Sequence, residues 1–562
     1  MNDAASKPWW RRDPSAVLAV AFTAFVLYAM RRRFAIGVDL LDEAFSTALP
    51  YRFALGDRPF IDEMNSAQTA GMLLTPFVWS YLKITGSSAG IMAFMRTLFL
   101  IFKIGVGATV FSTLRRLVAW PLALVASLFC VVFVPHSIPN LGYNVLGSGF
   151  LTMGSFLVAR RFLPDGTDRD VGWAGVCHGL ATVAYPPLGL PVLVSTLVLV
   201  AVAKGSRRST FVHYAIGGAL VAGAVLPLLL RAGWSNLHTM IAYGVWLDPR
   251  PPSKLHDIVV GWYRHAPFDL RTLELVTLAA VALKAQPKSA FLVLPILLGS
   301  LVFFFPGSVL SHLSIVIYAA LLAPAFLLLL HRSAAARTMF FVVWIPSAVA
   351  GVVTAYASTN GELNGGIGFF PAAVLFIVYE AMAVDALSRE TLARRHLSPV
   401  LLAGPALVVA VMLQHFEGSI YRDGPQGLTT MVTSGPFRGL MTSPDRAAFL
   451  RDLEDVIKSH ETPGGRLLVY YQFPAAHLFS RMRPAGNTAW LMEQADQTAL
   501  IEHYRRRMTG KGIALKVKTY PGSGTPFFYS TVLDRFLDAN EDRLESSARW
   551  FTIYSERAPA QP

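Results

Sequence analysis

The sequence predicts a polytopic α-helical membrane protein that ends in a soluble α/β domain. Of its 562 residues, 54% are apolar and only 15% are charged, whereas a typical soluble protein carries about 25% charged residues. The apolar residues form separate runs of about 17 to 22, and a helix of about 20 residues crosses a bilayer core. Residues 416–562 contain no such run. The composition therefore excludes an ordinary soluble enzyme.

The apolar runs predict about thirteen membrane-spanning helices. An odd number of spans places the two termini on opposite sides of the membrane. The predicted spans lie near residues 14–30, 88–112, 118–134, 145–159, 172–186, 188–203, 211–230, 271–285, 289–305, 309–330, 338–355, 368–386 and 398–415.

The distribution of basic residues predicts the orientation of these spans. With the N-terminus inside, six alternate loops in succession carry Lys or Arg, as the positive-inside rule requires. Arg31, Arg32 and Arg33 are the exception, and we expect them at the lipid headgroups. The protein is thus predicted in a bacterial cytoplasmic membrane, with a cytoplasmic N-terminus and an extracytoplasmic, periplasmic tail. The cytoplasmic basic residues are Arg115, Arg116, Arg160, Arg161, Arg169, Lys204, Arg207, Arg208, Lys284, Lys288, Arg332, Arg337, Arg389, Arg394 and Arg395.

This topology divides the chain into a membrane domain, residues 1–415, and a soluble domain, residues 416–562. The membrane domain has two long outer segments, 31–87 and 231–270. It carries 31 Lys and Arg against 19 Asp and Glu, and the soluble domain carries 18 against 16. Because the excess of positive charge lies in the membrane domain, nucleic-acid binding is not predicted. The two cysteines, Cys130 and Cys177, lie in apolar runs and indicate neither a disulfide nor a structural zinc site.

The soluble domain shows both helix and strand patterns. Ser443 and Pro444 fit the N-cap and first position of a helix that ends near Ser459. Short apolar runs at 467–471, 513–520 and 550–554 predict strands, with helices near 493–508 and 527–538 between them. An α/β fold follows.

The segment after the first span carries the most informative polar residues. Asp39, Asp42 and Glu43 follow the predicted exit from the bilayer, and Asp62 and Glu63 lie before the next predicted span. Partial desolvation raises the pKa of a carboxyl group and a nearby cation lowers it, so this position can tune a general base. A solvated loop with an amphipathic surface helix is the structural alternative, and spacing alone does not separate the two.

The same segment resembles the first outer loop of GT-C type membrane glycosyltransferases. The resemblance rests on Asp42-Glu43 after the first span, then an aromatic and small-residue helix, then Gly56-x-x-Pro59-Phe60-x-Asp62. It extends through Arg96 and the Pro139-to-Asn144 stretch to Tyr185-Pro186-Pro187, and so covers roughly residues 14–190. That superfamily includes protein O-mannosyltransferases, aminoarabinose transferases and mycobacterial arabinofuranosyltransferases.

The resemblance implies a GT-C-like fold and transfer of a sugar from a polyprenyl-phosphate donor, with inversion expected at the sugar carbon. The acceptor would be a cell-envelope glycan or lipid at the outer membrane face, and an arabinofuranosyl donor is one possibility. Asp42 would match the catalytic acidic residue, with Glu43 beside it. Cations are needed to bind the departing phosphate.

Several outer residues are candidate substrate ligands. Arg96 shares a helix face with Lys103, and we favour a phosphate or carboxylate partner for it over a purely structural ion pair. Arg264 is the preferred ligand in the aromatic and basic segment 234–271, although Trp and Tyr there also suit a membrane interface. The predicted substrate-binding residues are Asp62, Arg96, His136, Tyr143, Asn144, His238, Arg264 and His265.

Two further outer features remain open on sequence alone. The carboxylates of Asp42, Glu43 and Asp62 could hold a divalent cation such as Mg²⁺, Mn²⁺ or Ca²⁺. The turn at 358–366, rich in Gly, Asn and Ser, is either a substrate rim or a plain turn.

The predicted function is a membrane glycosyltransferase with a carboxylate of the first outer segment as general base. A polytopic transporter or lipid flippase is the alternative. Transporters often show paired repeats with broken helices in matching positions, and the sequence shows no such pairing. A carboxylate cluster confined to one outer segment also favours the enzyme.

Overall fold

A computed structural model gives the fold for most of the chain. The described residues are 14–203, 207–247, 253–264, 312–328, 330, 332–358, 360–391, 402–419, 423, 427–470, 473–490, 497–507, 512–518, 531–544 and 550–556.

The first part of the chain is helical. We number its helices α1 Pro14–Arg33, α2 Asp42–Ala54, α3 Gln68–Thr85, α4 Ile91–Leu114, α5 Trp120–Ser127, α6 Phe129–Val132, α7 Tyr143–Arg161, α8 Asp168–Ala184, α9 Gly189–Val202, α10 Arg207–Leu247, α11 Lys254–Arg264, α12 His312–Leu322, α13 Ala334–Met339, α14 Ile345–Tyr356, α15 Gly365–Gly368, α16 Phe370–Thr391 and α17 Ala403–Gly418.

Four described stretches of helix are long and apolar enough to cross a membrane, and a fifth is counted if a bent pair forms one span. The four lie at Pro14–Arg33, Ile91–Leu114, Arg208–Ala242 and Ala334–Tyr356. The bent pair, α15 with α16, turns by 56°. Most of the other predicted spans coincide with shorter helices. The spans predicted near 271–285 and 289–305 lie outside the described residues, so the count of thirteen stays a prediction.

The first outer segment is folded rather than an open loop. It contains α2 and α3, and ten of the 13 residues of α2 are buried. The alternative of a solvated surface helix is therefore wrong for α2, because the helix packs on all sides. Helix α3 is an apolar helix that the sequence analysis did not predict within residues 31–87.

The described residues of the region that we name the soluble domain form both helices and strands. The elements are β1 Thr430–Met431, β2 Met441–Thr442, α18 Pro444–His460, β3 Arg466–Tyr470, β4 Arg483–Pro484, α19 Gln497–Arg507, β5 Gly512–Val517, α20 Thr531–Asn540, β6 Glu541–Leu544 and β7 Phe551–Glu556. A five-stranded mixed sheet has the strand order β4-β3-β5-β7-β6, with β3 parallel to β4 and β5, and β7 antiparallel to β5 and β6. The Ser443 hydroxyl accepts a hydrogen bond from the Arg446 amide and caps α18, as predicted.

Glycines allow α8 and α10 to approach closely. A Cβ atom built on Gly217 would lie 2.1 Å from the carbonyl oxygen of Gly172, and one built on Gly175 would lie 2.1 Å from that of Tyr214. Small residues are favoured where membrane helices meet, since contact between backbones depends on them. By contrast, a Cβ on Gly223 has no atom within 4 Å.

The matched pair Gly217→Ala and Gly223→Ala tests this packing. Alanine is the better helix former by about 1 kcal/mol, so Gly223→Ala should leave the unfolding temperature unchanged or raise it. Gly217→Ala should lower it, because forcing α8 and α10 apart costs about 1–3 kcal/mol. Thermal unfolding of the purified proteins in one detergent compares them. Equal unfolding temperatures would contradict the close approach.

Candidate active site

Asp39 determines where α2 begins. One of its carboxylate oxygens accepts a hydrogen bond from the Leu41 amide at 3.0 Å, and the other accepts one from the Glu43 amide at 2.8 Å. A helix start leaves several N–H groups without partners, and acidic side chains satisfy them. Asp42 and Glu43 consequently occupy the first turn of α2, where the helix dipole favours negative charge.

Glu43 points into the protein and forms a bidentate ion pair with Arg96 of α4. The Arg96 Nε atom lies 2.6 Å from Glu43 Oε1, and Nη2 lies 2.7 Å from Oε2. Both residues are almost fully buried, with 2% of their surface exposed.

Arg96 also binds the backbone that connects α1 to α2. It donates to the carbonyl oxygens of Phe34 at 2.6 Å, Ile36 at 3.3 Å and Gly37 at 2.8 Å. A guanidinium has five N–H donors, and these three bonds with the two to Glu43 occupy all five. The structure thus gives Arg96 the structural ion pair that the sequence analysis ranked second, so we assign Arg96 no substrate contact.

Asp42 lies on another side of α2 and is half-buried. Its carboxylate interacts electrostatically with His136 and with Tyr143. The loop that carries His136 is tied to the same helix turn, because Asn140 Nδ2 donates to the Asp42 carbonyl oxygen at 3.3 Å. Three predicted site residues, Asp42, His136 and Tyr143, therefore belong to one cluster.

His136 is held by the outer turn at 358–366. Its Nε2 atom lies 3.0 Å from Asn364 Oδ1, and Asn364 Nδ2 donates to Ser358 Oγ at 2.5 Å. Burial lowers the pKa of His136, while the Asn364 bond and the Asp42 charge oppose that shift. His136 and Ser137 both have positive φ, 56° and 57°, a backbone strain that concentrates at functional sites.

An aromatic pair and the side-chain oxygen of Asn144 lie near this cluster. The rings of Tyr143 and Tyr185 lie 5.0 Å apart. Next to Tyr143, the buried Asn144 Oδ1 has no hydrogen-bond partner within the described part of the chain. An unsatisfied buried polar atom in a folded protein calls for an explanation, and a ligand is one.

The remaining predicted residues lie apart from this cluster or outside the described region. Asp62 accepts from Arg58 Nε at 3.0 Å and from Arg58 Nη2 at 3.1 Å. His238 is exposed on α10. Arg264 is the last residue of α11, but its side chain and all of His265 lie outside what the structure describes.

The three carboxylates named as a metal option do not form a ligand group. Among the described residues, no cluster of three or more His, Cys, Asp or Glu side chains suits a metal ion. The reason is that Glu43 binds Arg96 and Asp62 binds Arg58.

Asn364 and Asp39 are the site residues whose roles the sequence analysis missed. Asn364 was noted only as part of a polar turn, and its contact with His136 spans 228 positions of sequence. Asp39 did carry a local signal, since an acidic residue just before a predicted helix is a start signal.

The described part of the chain is largely helical, includes several apolar helices of membrane-spanning length, and places Asp42 in the helix that follows the first of them. No family model matches the chain, and no curated protein matches it. Among solved structures, the chain is similar to the crystal structure of ArnT from Cupriavidus metallidurans in the apo state. The two chains are 11% identical, the match covers 97% of this chain and 98% of that one, and the TM-score is 0.48.

Removing Arg96 should strongly destabilise the protein. Arg96→Met leaves Glu43 as a buried charge without its partner, a change that costs about 3–5 kcal/mol. Arg32→Met removes an exposed arginine whose contact with Glu417 is 3.6 Å, and pairs of this kind contribute about 0–1 kcal/mol. We expect a large fall in unfolding temperature for the first variant only. Similar falls for both would show that Arg96 is not the stabilising partner.

Stability should also decrease on mild acidification because of His477. Burial, and then the charge of Arg52, hold its pKa well below 6.5 in the folded state. The unfolded chain binds a proton near pH 6.5 and the folded chain does not, so the free energy of unfolding falls as pH drops below 6.5. The limiting slope is about 1.4 kcal/mol per pH unit.

Denaturant unfolding of the soluble domain at pH 5.0–7.5 measures this dependence within the full chain. His477→Gln should flatten it, while His213→Gln, which changes an exposed histidine, should leave the slope as it is. If the free energy of unfolding of His477→Gln depended on pH as it does in the wild type, His477 would not be the source of the dependence.

Proposed function

We propose that the protein is a membrane glycosyltransferase of the GT-C kind, with Asp42 as its general base. The observation that carries this proposal is the placement of Asp42. It is a half-buried carboxylate in the first turn of α2, which follows the first membrane-length helix after eight residues. The motif resemblance of residues 14–190 supports the same class.

The proposed donor is a sugar linked to a polyprenyl phosphate, and the acceptor is a hydroxyl of a cell-envelope glycan or lipid. Asp42 removes the proton of this hydroxyl while the hydroxyl oxygen of the acceptor forms a bond to the anomeric carbon of the sugar. The bond between that carbon and the phosphate oxygen breaks, and the electron pair leaves with the polyprenyl phosphate. One displacement inverts the configuration at the sugar carbon. Arabinofuranosyl and hexosyl donors both fit this scheme.

The neighbouring residues take different roles in the proposal. Glu43 and Arg96 position α2, since their polar atoms contact each other and the backbone rather than an open surface. His136, Tyr143 and Asn144 provide polar contacts to the acceptor or the sugar beside Asp42. The unsatisfied Asn144 Oδ1 suits a substrate hydroxyl, which can donate to it.

The cations for the departing phosphate are proposed on the second outer segment. Helix α11 packs on the turn that holds His136, because Trp262 Nε1 donates to the Glu362 carbonyl oxygen at 3.0 Å. A basic residue at the end of α11 therefore lies on the element that adjoins the cluster. Arg264 and His265 are the proposed phosphate ligands, and His238 lies earlier in the same outer segment, on α10.

Reconstitution with radiolabelled donors tests the enzyme proposal. In proteoliposomes supplied with polyprenyl-phosphate sugars and an envelope lipid extract, Asp42→Asn should lower the transfer rate by about 10²–10⁴, the usual contribution of a general base. Asp445→Asn, on an exposed position of α18, is the matched control and should retain activity.

Two results would contradict the proposal. Transfer at the wild-type rate by Asp42→Asn would exclude Asp42 as the base. Movement of lipid-linked sugar across the vesicle membrane, without transfer and unaffected by the substitution, would favour the transporter or flippase.

A further inference from the structure

An ion pair of the soluble domain, Asp423 with Arg446, binds the backbone of Val38, four residues before the proposed base Asp42. Asp423 Oδ2 accepts a hydrogen bond from the Val38 amide at 2.7 Å, and Arg446 Nη1 donates to the Val38 carbonyl oxygen at 2.7 Å. Asp423 and Arg446 also pair with each other at 3.1 Å. The backbone N–H and C=O groups of Val38 are thus both bound by charged side chains of the soluble domain.

Asp423 and Arg446 are buried, and they are connected to each other by an ion pair and, through Asp423, to Thr442 by a hydrogen bond. Asp423 is 2% exposed and Arg446 is 3% exposed. The same Asp423 oxygen accepts the Thr442 hydroxyl at 2.7 Å. Hydrogen bonds to charged groups contribute more than neutral ones, and in a buried setting their geometry is held more tightly.

A short backbone ladder supports the same segment. The Gly37 amide donates to the Met441 carbonyl oxygen at 2.9 Å, and the Met441 amide donates to the Ala35 carbonyl oxygen at 2.7 Å. Ile36 therefore forms an isolated parallel β-bridge with Met441 of β2, the strand that leads directly into α18.

Val38 is connected to Asp42 by one further link. Asp39, the next residue, binds the amides of Leu41 and Glu43 through its two oxygens. A displacement of Val38 moves Asp39, and with it the first turn of α2. The soluble domain thereby fixes the start of the helix that carries Asp42, in addition to the contacts that Arg96 makes with residues 34–37.

We propose that Asp423 and Arg446 are positioning residues for the proposed base Asp42, and that the soluble domain is thus part of the catalytic apparatus. This inference rests on the proposed function, and it differs from the role of an acceptor-binding module. A positioning residue changes the rate of the chemical step and leaves substrate affinity nearly unchanged. Misplacement of a reacting group by about 1 Å can lower a rate about 100-fold.

The test variant is the double substitution Asp423→Asn with Arg446→Met. It removes both charges together, so neither is left buried without its partner, which keeps folding feasible. Arg451→Met, at an exposed position of the same helix, is the control. The full-length proteins are compared in proteoliposomes by kcat and KM, and by hydrogen exchange.

We expect kcat of the double variant to fall about 10- to 100-fold while KM for donor and acceptor stays within about twofold. Exchange of the amides of residues 36–43 should accelerate at least tenfold, while amides of α18 exchange as in the wild type. Arg446→Lys, which retains a charge and a donor, should give an intermediate kcat. Arg451→Met should match the wild type in all readouts.

The outcomes separate this inference from the proposed function. Unchanged exchange at residues 36–43, or a wild-type kcat in a folded double variant, would overturn the positioning role even if Asp42→Asn abolishes transfer. A raised KM with unchanged kcat would instead assign the pair to substrate binding and overturn it as well. Failure of the proposed function itself would be seen as full transfer activity in Asp42→Asn.

Discussion

The buried ion pair between Glu43 and Arg96 is the interaction on which the rest of the site depends. Removing two such charges from water costs several kcal/mol for each ion, and only excellent geometry with further hydrogen bonds compensates for it. Here the pair is bidentate, and the remaining Arg96 donors bind three backbone carbonyl groups. One arginine therefore joins α4, the connection after α1 and the start of α2 into one unit.

This arrangement gives two adjacent carboxylates different surroundings. Consecutive residues on a helix point about 100° apart, so Asp42 and Glu43 cannot share one environment. Glu43 pairs with the cation and is buried, whereas Asp42 is half-buried and its charge acts on His136 and Tyr143. The Glu43 carboxylate stabilises the fold, and the geometry supports a chemical role for the Asp42 carboxylate.

Local sequence patterns predicted the elements but not their long-range contacts. The helix after Ser443 and three strands, β3, β5 and β7, follow from capping residues and apolar runs, and the structure shows them at nearly the predicted residues. The four shorter strands β1, β2, β4 and β6 were not predicted. The charge of Arg96 within a span indicated an inward-facing role, but its partner lies 53 residues away. Contacts such as that of Val38 with Asp423, separated by 385 residues, depend on tertiary packing, for which one sequence carries no periodic signal.

The far end of α2 is also bound by the soluble domain. The Tyr51 hydroxyl donates to the Ser480 carbonyl oxygen at 2.9 Å, and Arg52 donates to that of Gly486 at 2.9 Å. Glu63, which pairs with Arg52 at 3.0 Å, accepts from the Ala489 amide at 2.8 Å. These three contacts involve backbone atoms of the soluble domain, so they depend on its folded conformation rather than on particular side chains.

Helix α2 is thus held at its start by Arg96 and by the Asp423–Arg446 pair, and at its end by the loops around β4. A buried helix of 13 residues would be marginal by itself, since isolated helices shorter than about 12–15 residues gain little from propensity. Its position is therefore a property of two domains acting together. Because Asp42 lies in the first turn of this helix, a displacement of either set of contacts would move its carboxylate. Tyr51 and Arg52, which contact the soluble domain, and the proposed base Asp42 consequently lie on one short helix.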